Sequence, residues 1–119
     1  WTMDTAIDAS GWDAVMRAAP YLAPDYLEVQ RANPPERSPG GEWLTWAEHR
    51  AYTTVVLTSA DESGKPPDTL YQAYHAWTVT VTVHGRDGWT GQSPDQTVFV
   101  VLQRSDPAGD WKVAGFEVR

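Results

Sequence analysis

The chain has 119 residues, enough for one domain with a single core. Sixteen acidic against nine basic side chains leave a net charge of −7, which excludes a general binder of nucleic-acid phosphates or of anionic lipid, since both need a basic face. There is no cysteine, so disulfides, thiolate metal sites and cysteine nucleophiles are excluded as well.

The chain begins at Trp1, which suggests a processed or trimmed piece. It has no run of about 18 apolar residues and no signal-peptide core, so no segment of it is expected to insert into a membrane. Residues 1–32 read as helical. Asp4 or Thr5 suits the cap of a first helix through Ala9, and Ser10 that of a second starting near Trp12. Trp12, Val15, Met16 and Ala19 form one apolar stripe, which Pro20 interrupts. Pro24 then suits the first turn of another helix carrying Tyr26, Leu27 and Val29. The stretch 33–41, NPPERSPGG, breaks the pattern with three prolines and two glycines.

Residues 42–49, EWLTWAEH, fit either a short helix or a first strand. In a helix Trp43 and Trp46 share a face; in a strand they part. Residues 52–59, YTTVVLTS, are β-branched and read as a strand, followed by a turn in ADESGKPPD. Residues 69–84, TLYQAYHAWTVTVTVH, then alternate with period two. Tyr71, Ala73, His75, Trp77, Val79, Val81 and Val83 fall on one face. Strands usually run about 5–6 residues, so one this long is expected to twist and bend, with a bulge. GRDGWTGQSPD reads as a hairpin loop, 96–104 as a central buried strand and 111–118 as the closing strand. Helices first and strands after, joined by short connections, predict a single α+β domain over 1–119, with N-terminal helices packed on a strongly bent antiparallel sheet.

This order, with the closing motif Trp111-Lys112-Val113-Ala114-Gly115-Phe116, resembles the cystatin-like, cone-shaped α+β roll of the nuclear transport factor 2 superfamily. The resemblance implies that Trp111 and Phe116 are largely buried between sheet and helices. The stretch AAPYLAPDYLEV, a breaker and a tryptophan-led segment look like actinobacterial extracytoplasmic domains of that superfamily, among them TcpC-like and VirB-type membrane-tethered components of conjugation and secretion machines. Other members use the cone as a SnoaL-like cyclase or isomerase pocket, so fold alone does not decide function.

Candidate site residues follow from the alternating strand. His75 shares a face with Tyr71 and Trp77, and in a pocket it would serve as a general base or polar anchor with Tyr71 as its partner. Tyr52 joins them as a ligand-binding candidate. A histidine satisfied within the core is the plainer alternative. His49, beside Glu48 and Arg50, and His84, beside Gly85, are weaker candidates, and the scattered histidines give no metal spacing. Asp61, Glu62, Asp68, Asp87, Asp95, Asp106 and Asp110 fall in predicted turns, where aspartate bonds its own backbone. Trp89, at a loop tip, is either an interface anchor or a lid folded over the end of the sheet.

Two readings follow. The first is a non-catalytic interaction domain without cofactor or metal, acting on other proteins or on copies of itself. Under the resemblance it is the extracytoplasmic part of a membrane-anchored conjugation or secretion component, with a cytoplasmic protein as the alternative. The second is a small-molecule-binding or enzymatic domain with Tyr52, Tyr71, His75 and Trp77 in the cone.

Overall fold

Three helices precede a five-stranded antiparallel sheet in the computed structural model, which describes residues 1–35, 40–60 and 64–119. The chain is an α+β domain, as its element order predicts. Part of the 33–41 breaker, and Asp61 and Glu62 of the next turn, lie outside the described residues.

Ser10 opens α1 (Gly11–Arg17), its hydroxyl accepting from the Trp12 amide at 3.3 Å. The earlier helix expected through Ala9 does not form. Asp4 instead bridges to Tyr52, and the Thr5 amide bonds the Ala51 carbonyl at 2.9 Å. Asp8 is buried here and holds both the Asp4 amide and the Arg17 guanidinium. A short 3₁₀ turn at Ala19–Tyr21 contains Pro20, and Pro24 begins α2 (Pro24–Ala32). The ambiguous segment is helical: α3 (Gly41–Glu48) puts Trp43 and Trp46 on one side, rings 6.5 Å apart, with Trp43 buried. Its C-terminus closes with Arg50 at φ 48 and the Ala51 amide reaching back to the Trp46 carbonyl at 3.0 Å, the geometry of a Schellman cap.

β1 (Tyr52–Ser59) pairs antiparallel with β2 (Gln72–His84), which pairs on its other side with β3 (Thr90–Gln92) at one end and β4 (Gln96–Gln103) at the other. β5 (Lys112–Val118) pairs with β4. The long strand is thus real but starts at Gln72, leaving Tyr71 just outside it. Its registers are unbroken, and the bulge lies between β4 and β5 at Val101/Leu102.

The registers assign the faces. His75, Trp77, Val79, Val81 and Val83 share one with Thr53, Val55, Leu57, Val98, Val100, Phe116 and Val118. This apolar face holds the core: Val79, Val81 and Val98, with Val55, Trp77 and Val100 against them. The N-terminal residues and α2 lie on it, Trp1 and Tyr26 placing their rings 5.7 and 6.4 Å from that of Phe116. The opposite face carries Thr54, Thr58, Thr78, Thr80, Thr82 and Thr97.

The cover is incomplete. Phe116 is 49% exposed, and Trp111 is half-buried beneath the Arg104 guanidinium, 4.0 Å from its ring centre. This corrects the expectation that both are largely buried. β5 is an edge strand, so its side chains lack the second neighbour that closes over β2 and β4.

Candidate functional site: a polar-aromatic cluster and a free sheet edge

The residues expected to line one pocket do not converge. His75 and Trp77 share the apolar face of β2, their rings 6.4 Å apart. Tyr71 precedes the strand and is exposed. Tyr52 pairs with His84, so it projects from the opposite face, about 30 Å along β2 from His75 at roughly 3.3 Å per residue. A cleft of about 570 Å³ lies elsewhere, between Leu22, Pro24, Arg104, Asp106, Asp110 and Lys112. Its cations are engaged within the chain: the Lys112 ammonium donates to the Pro20 carbonyl at 2.7 Å, and Arg104 Nε to the Leu70 carbonyl at 2.6 Å.

What the fold does assemble is a cluster where β1 begins. His49, at the end of α3, holds Asp87 Oδ2 through Nδ1 at 2.7 Å and stacks on Trp89, ring centres 4.3 Å apart and planes within 3°. Trp89 is therefore folded back over the end of the sheet and partly exposed. Beside it Arg86 grips Asp4 through both carboxylate oxygens, at 2.9 and 2.8 Å, donates to the Arg50 carbonyl at 2.5 Å and lies 5.0 Å from the Tyr52 ring centre. Tyr52 stacks on His84, whose Nε2 meets Thr54 Oγ1 at 2.8 Å. A carboxylate orienting an imidazole is half of a general-base arrangement, yet among the described residues His49 Nε2 meets no hydroxyl or second carboxylate. The same residues clamp the 85–89 turn onto the start of β1. Among the described residues no group of three or more His, Asp or Glu could hold a metal, and no helix is long and apolar enough to cross a membrane.

Two carboxylates in the cluster are held below their ordinary range. Arg86 lowers Asp4, first through its hydrogen bond, and the bond to His49 lowers Asp87. A carboxylate with a depressed folded pKa stabilises the fold above its unfolded value, here 3.8, and loses that contribution as pH falls through the lower folded value. Thermal unfolding followed downward from neutral pH should hold steady to about pH 4 and then decline. Asp4→Asn should be less stable than the parent at neutral pH and should show a shallower acid decline.

The second feature is the outer edge of β1. The Thr53 amide bonds the Met3 carbonyl at 2.9 Å, away from β2, so odd-numbered residues of β1 aim their backbone groups outward. Past Thr53 this edge is open: among the described residues nothing pairs with the outward groups of Val55, Leu57 and Ser59. The edges at β2 and β5 are treated differently. Where β2 extends beyond β1, Asp68 accepts from the Tyr74 amide at 3.1 Å and Lys65 donates to the Tyr74 carbonyl at 2.8 Å. Thr69 bonds both backbone groups of Gln72, its hydroxyl accepting at 3.0 Å and its amide donating at 2.7 Å. β5 carries Lys112 and Glu117, is bulged against β4, and is followed by Arg119. Charge, bulges and covering segments are how edges avoid pairing. β1, YTTVVLTS, has no charge, no proline and no glycine, with Val56 62% and Leu57 55% exposed. The sequence marks 52–59 as a strand, and its lack of charge over eight residues is the signal in it for a docking edge.

Comparison of the chain with protein-family models, curated proteins and solved structures finds no match.

Proposed function

We propose that this domain does no chemistry of its own and acts by assembling with other proteins, docking them on the free edge of β1. In the setting suggested by its sequence resemblance, it is the extracytoplasmic part of a membrane-anchored conjugation or secretion component. The observation that carries the reading is the contrast between edges: β2 and β5 are capped or charged, while β1 offers the outward backbone of Val55, Leu57 and Ser59, with the Val56 and Leu57 side chains exposed. Surface area supports it. The chain exposes 7921 Å², against about 6,400 Å² for compact proteins of its mass. Its radius of gyration is 16.0 Å, where about 13.5 Å is usual for this length. A standard interface takes about 800 Å² from each partner, and the surplus of about 1,500 Å² exceeds that. Trp89 stands at the same end of the sheet as the start of β1 and is a further contact for a partner.

The test uses a photoreactive benzoylphenylalanine placed at Val56 or at Val29 in the full-length protein in its own cell. Both positions are exposed, at 62% and 55%. A defined protein adduct at Val56, absent at Val29, is the expected result. No adduct at Val56, or equal labelling at both, would overturn the reading. A reaction of the purified domain that is lost on His75→Ala would replace it with the pocket reading.

A further inference from the structure

We infer that the occupant of the β1 edge is β1 of a second copy of this chain, paired antiparallel about a twofold axis at Leu57. The inference rests on the assembly reading and names its partner.

The limits of the free edge set the register. At its upstream end the edge is closed by the N-terminal residues, since Met3 sits beside Thr53 and Thr5 beside Ala51. The outward residues left are Val55, Leu57 and Ser59, and a twofold axis uses all of them only if it passes through the middle one. Leu57 then faces its own copy, while Val55 faces Ser59 and Ser59 faces Val55. Each of these three pairs exchanges two backbone hydrogen bonds, six in all. On the opposite face Val56 meets Thr58, so the large side chains that oppose each other directly are the two Leu57 copies on the apolar face. Shifting the axis to Val55 would set Leu57 against Thr53, whose outward amide already donates to the Met3 carbonyl.

Charge selects the same strand. Each copy carries a net −7, so two copies repel over most of their surfaces. At β1 the segment from Ala51 to Ala60 has no ionisable side chain apart from the Tyr52 phenol, and it lies at an edge where another chain can reach it. The pairing also joins the two apolar faces into one, bringing both copies of Leu57 beside Val55 and Val79. A self-complementary patch of this kind is isologous and closes at two copies. Added salt strengthens the dimer, because it screens the repulsion between like-charged bodies while leaving the backbone bonds in place.

The protein has no cysteine, so a single introduced thiol reports on one position. Directly opposed residues in a hydrogen-bonded antiparallel pair have Cα atoms about 5.5 Å apart, within the span a disulfide bridges. Leu57→Cys is compared with Leu44→Cys, since both leucines are 55% exposed. Under mild oxidation Leu57→Cys should form a covalent dimer about tenfold faster or more, because the pairing raises the local thiol concentration. The unmodified chain should sediment as a concentration-dependent dimer that tightens with salt. Leu57→Lys should sediment as a monomer with an unchanged circular dichroism spectrum. Equal cross-linking at both positions would overturn the inference, as would a parent chain monomeric at every concentration. A monomeric parent that still yields a Val56 adduct with a different protein would overturn self-pairing and leave the assembly reading standing. Absence of any such adduct would remove both.

Discussion

Replacing Val79 with alanine should cost about 2–3 kcal/mol and lower the melting temperature by roughly 10 °C, read by thermal unfolding at one protein concentration. Val79, Val83 and Val98 are the largest fully buried side chains, so the core turns on very few groups. Val79 sits between Leu57 of β1 and Gln96 of β4, where three strands pair side by side, and it packs with Val81 and Val98. Removing two methyl groups there loses about 1.6 kcal/mol of transfer energy, and the rigid strands on both sides prevent the cavity from closing. Total stability for a small domain is about 5–15 kcal/mol, so this loss is a large share. Val56→Ala, exposed on the opposite face of the neighbouring strand, should stay within about 0.5 kcal/mol and serves as the control. A loss below 1 kcal/mol at Val79 would mean that the sheet's apolar face is not the core.

The second large effect is expected at Gly85, where a single added carbon has nowhere to go. A Cβ there would sit 2.6 Å from Asp87 Oδ1, 2.8 Å from the Trp89 carbonyl oxygen and 2.9 Å from the Trp89 Cβ. Its amide also bonds that carbonyl, at 2.6 Å. Two of these neighbours belong to the turn's own framework, so Gly85→Ala has to open the turn that presents Arg86, Asp87 and Trp89. Overpacking of this kind costs about 1–3 kcal/mol. The loss should be accompanied by a change in tryptophan fluorescence as Trp89 leaves the His49 ring. Gly88→Ala is the instructive companion: it has open space but φ +89, so it strains the backbone without striking Trp89. Destabilisation with unaltered fluorescence is expected there. A Gly85→Ala protein with parent stability and fluorescence would show that the turn is not clamped.

Much of the fold is legible in the sequence because it is written in local pattern. The period-two run to His84 gives the central strand, Ser10 and Pro24 give helix starts, and YTTVVLTS gives β1 with its observed limits. The errors have a common physical source. Whether Phe116 is buried depends on where β5 falls in the sheet order, and an edge strand reads locally like a central one. Asp4 and Thr5 carry helix-cap chemistry, but long-range partners win: Arg86 takes the carboxylate and Ala51 the amide. The candidate site was less legible still. His49 and Asp87 are 38 residues apart and meet only because α3 and the 85–89 turn both end at the start of β1. Tyr52 and His75 share strand chemistry, yet register puts them on opposite faces. The free edge of β1 depends on what is not beside it, which only the assembled sheet reveals.

The account is tested most directly by amide hydrogen exchange along β1 as protein concentration is raised. The amides of Thr54, Val56 and Thr58 face β2 and should be protected at every concentration. Those of Val55, Leu57 and Ser59 face outward, so in dilute solution protection should alternate residue by residue. As the concentration rises the outward amides should slow together, making protection continuous from residue 54 to 59, and Leu57→Lys should restore the alternation. Outward amides that exchange freely at all concentrations, with or without added salt, would contradict it.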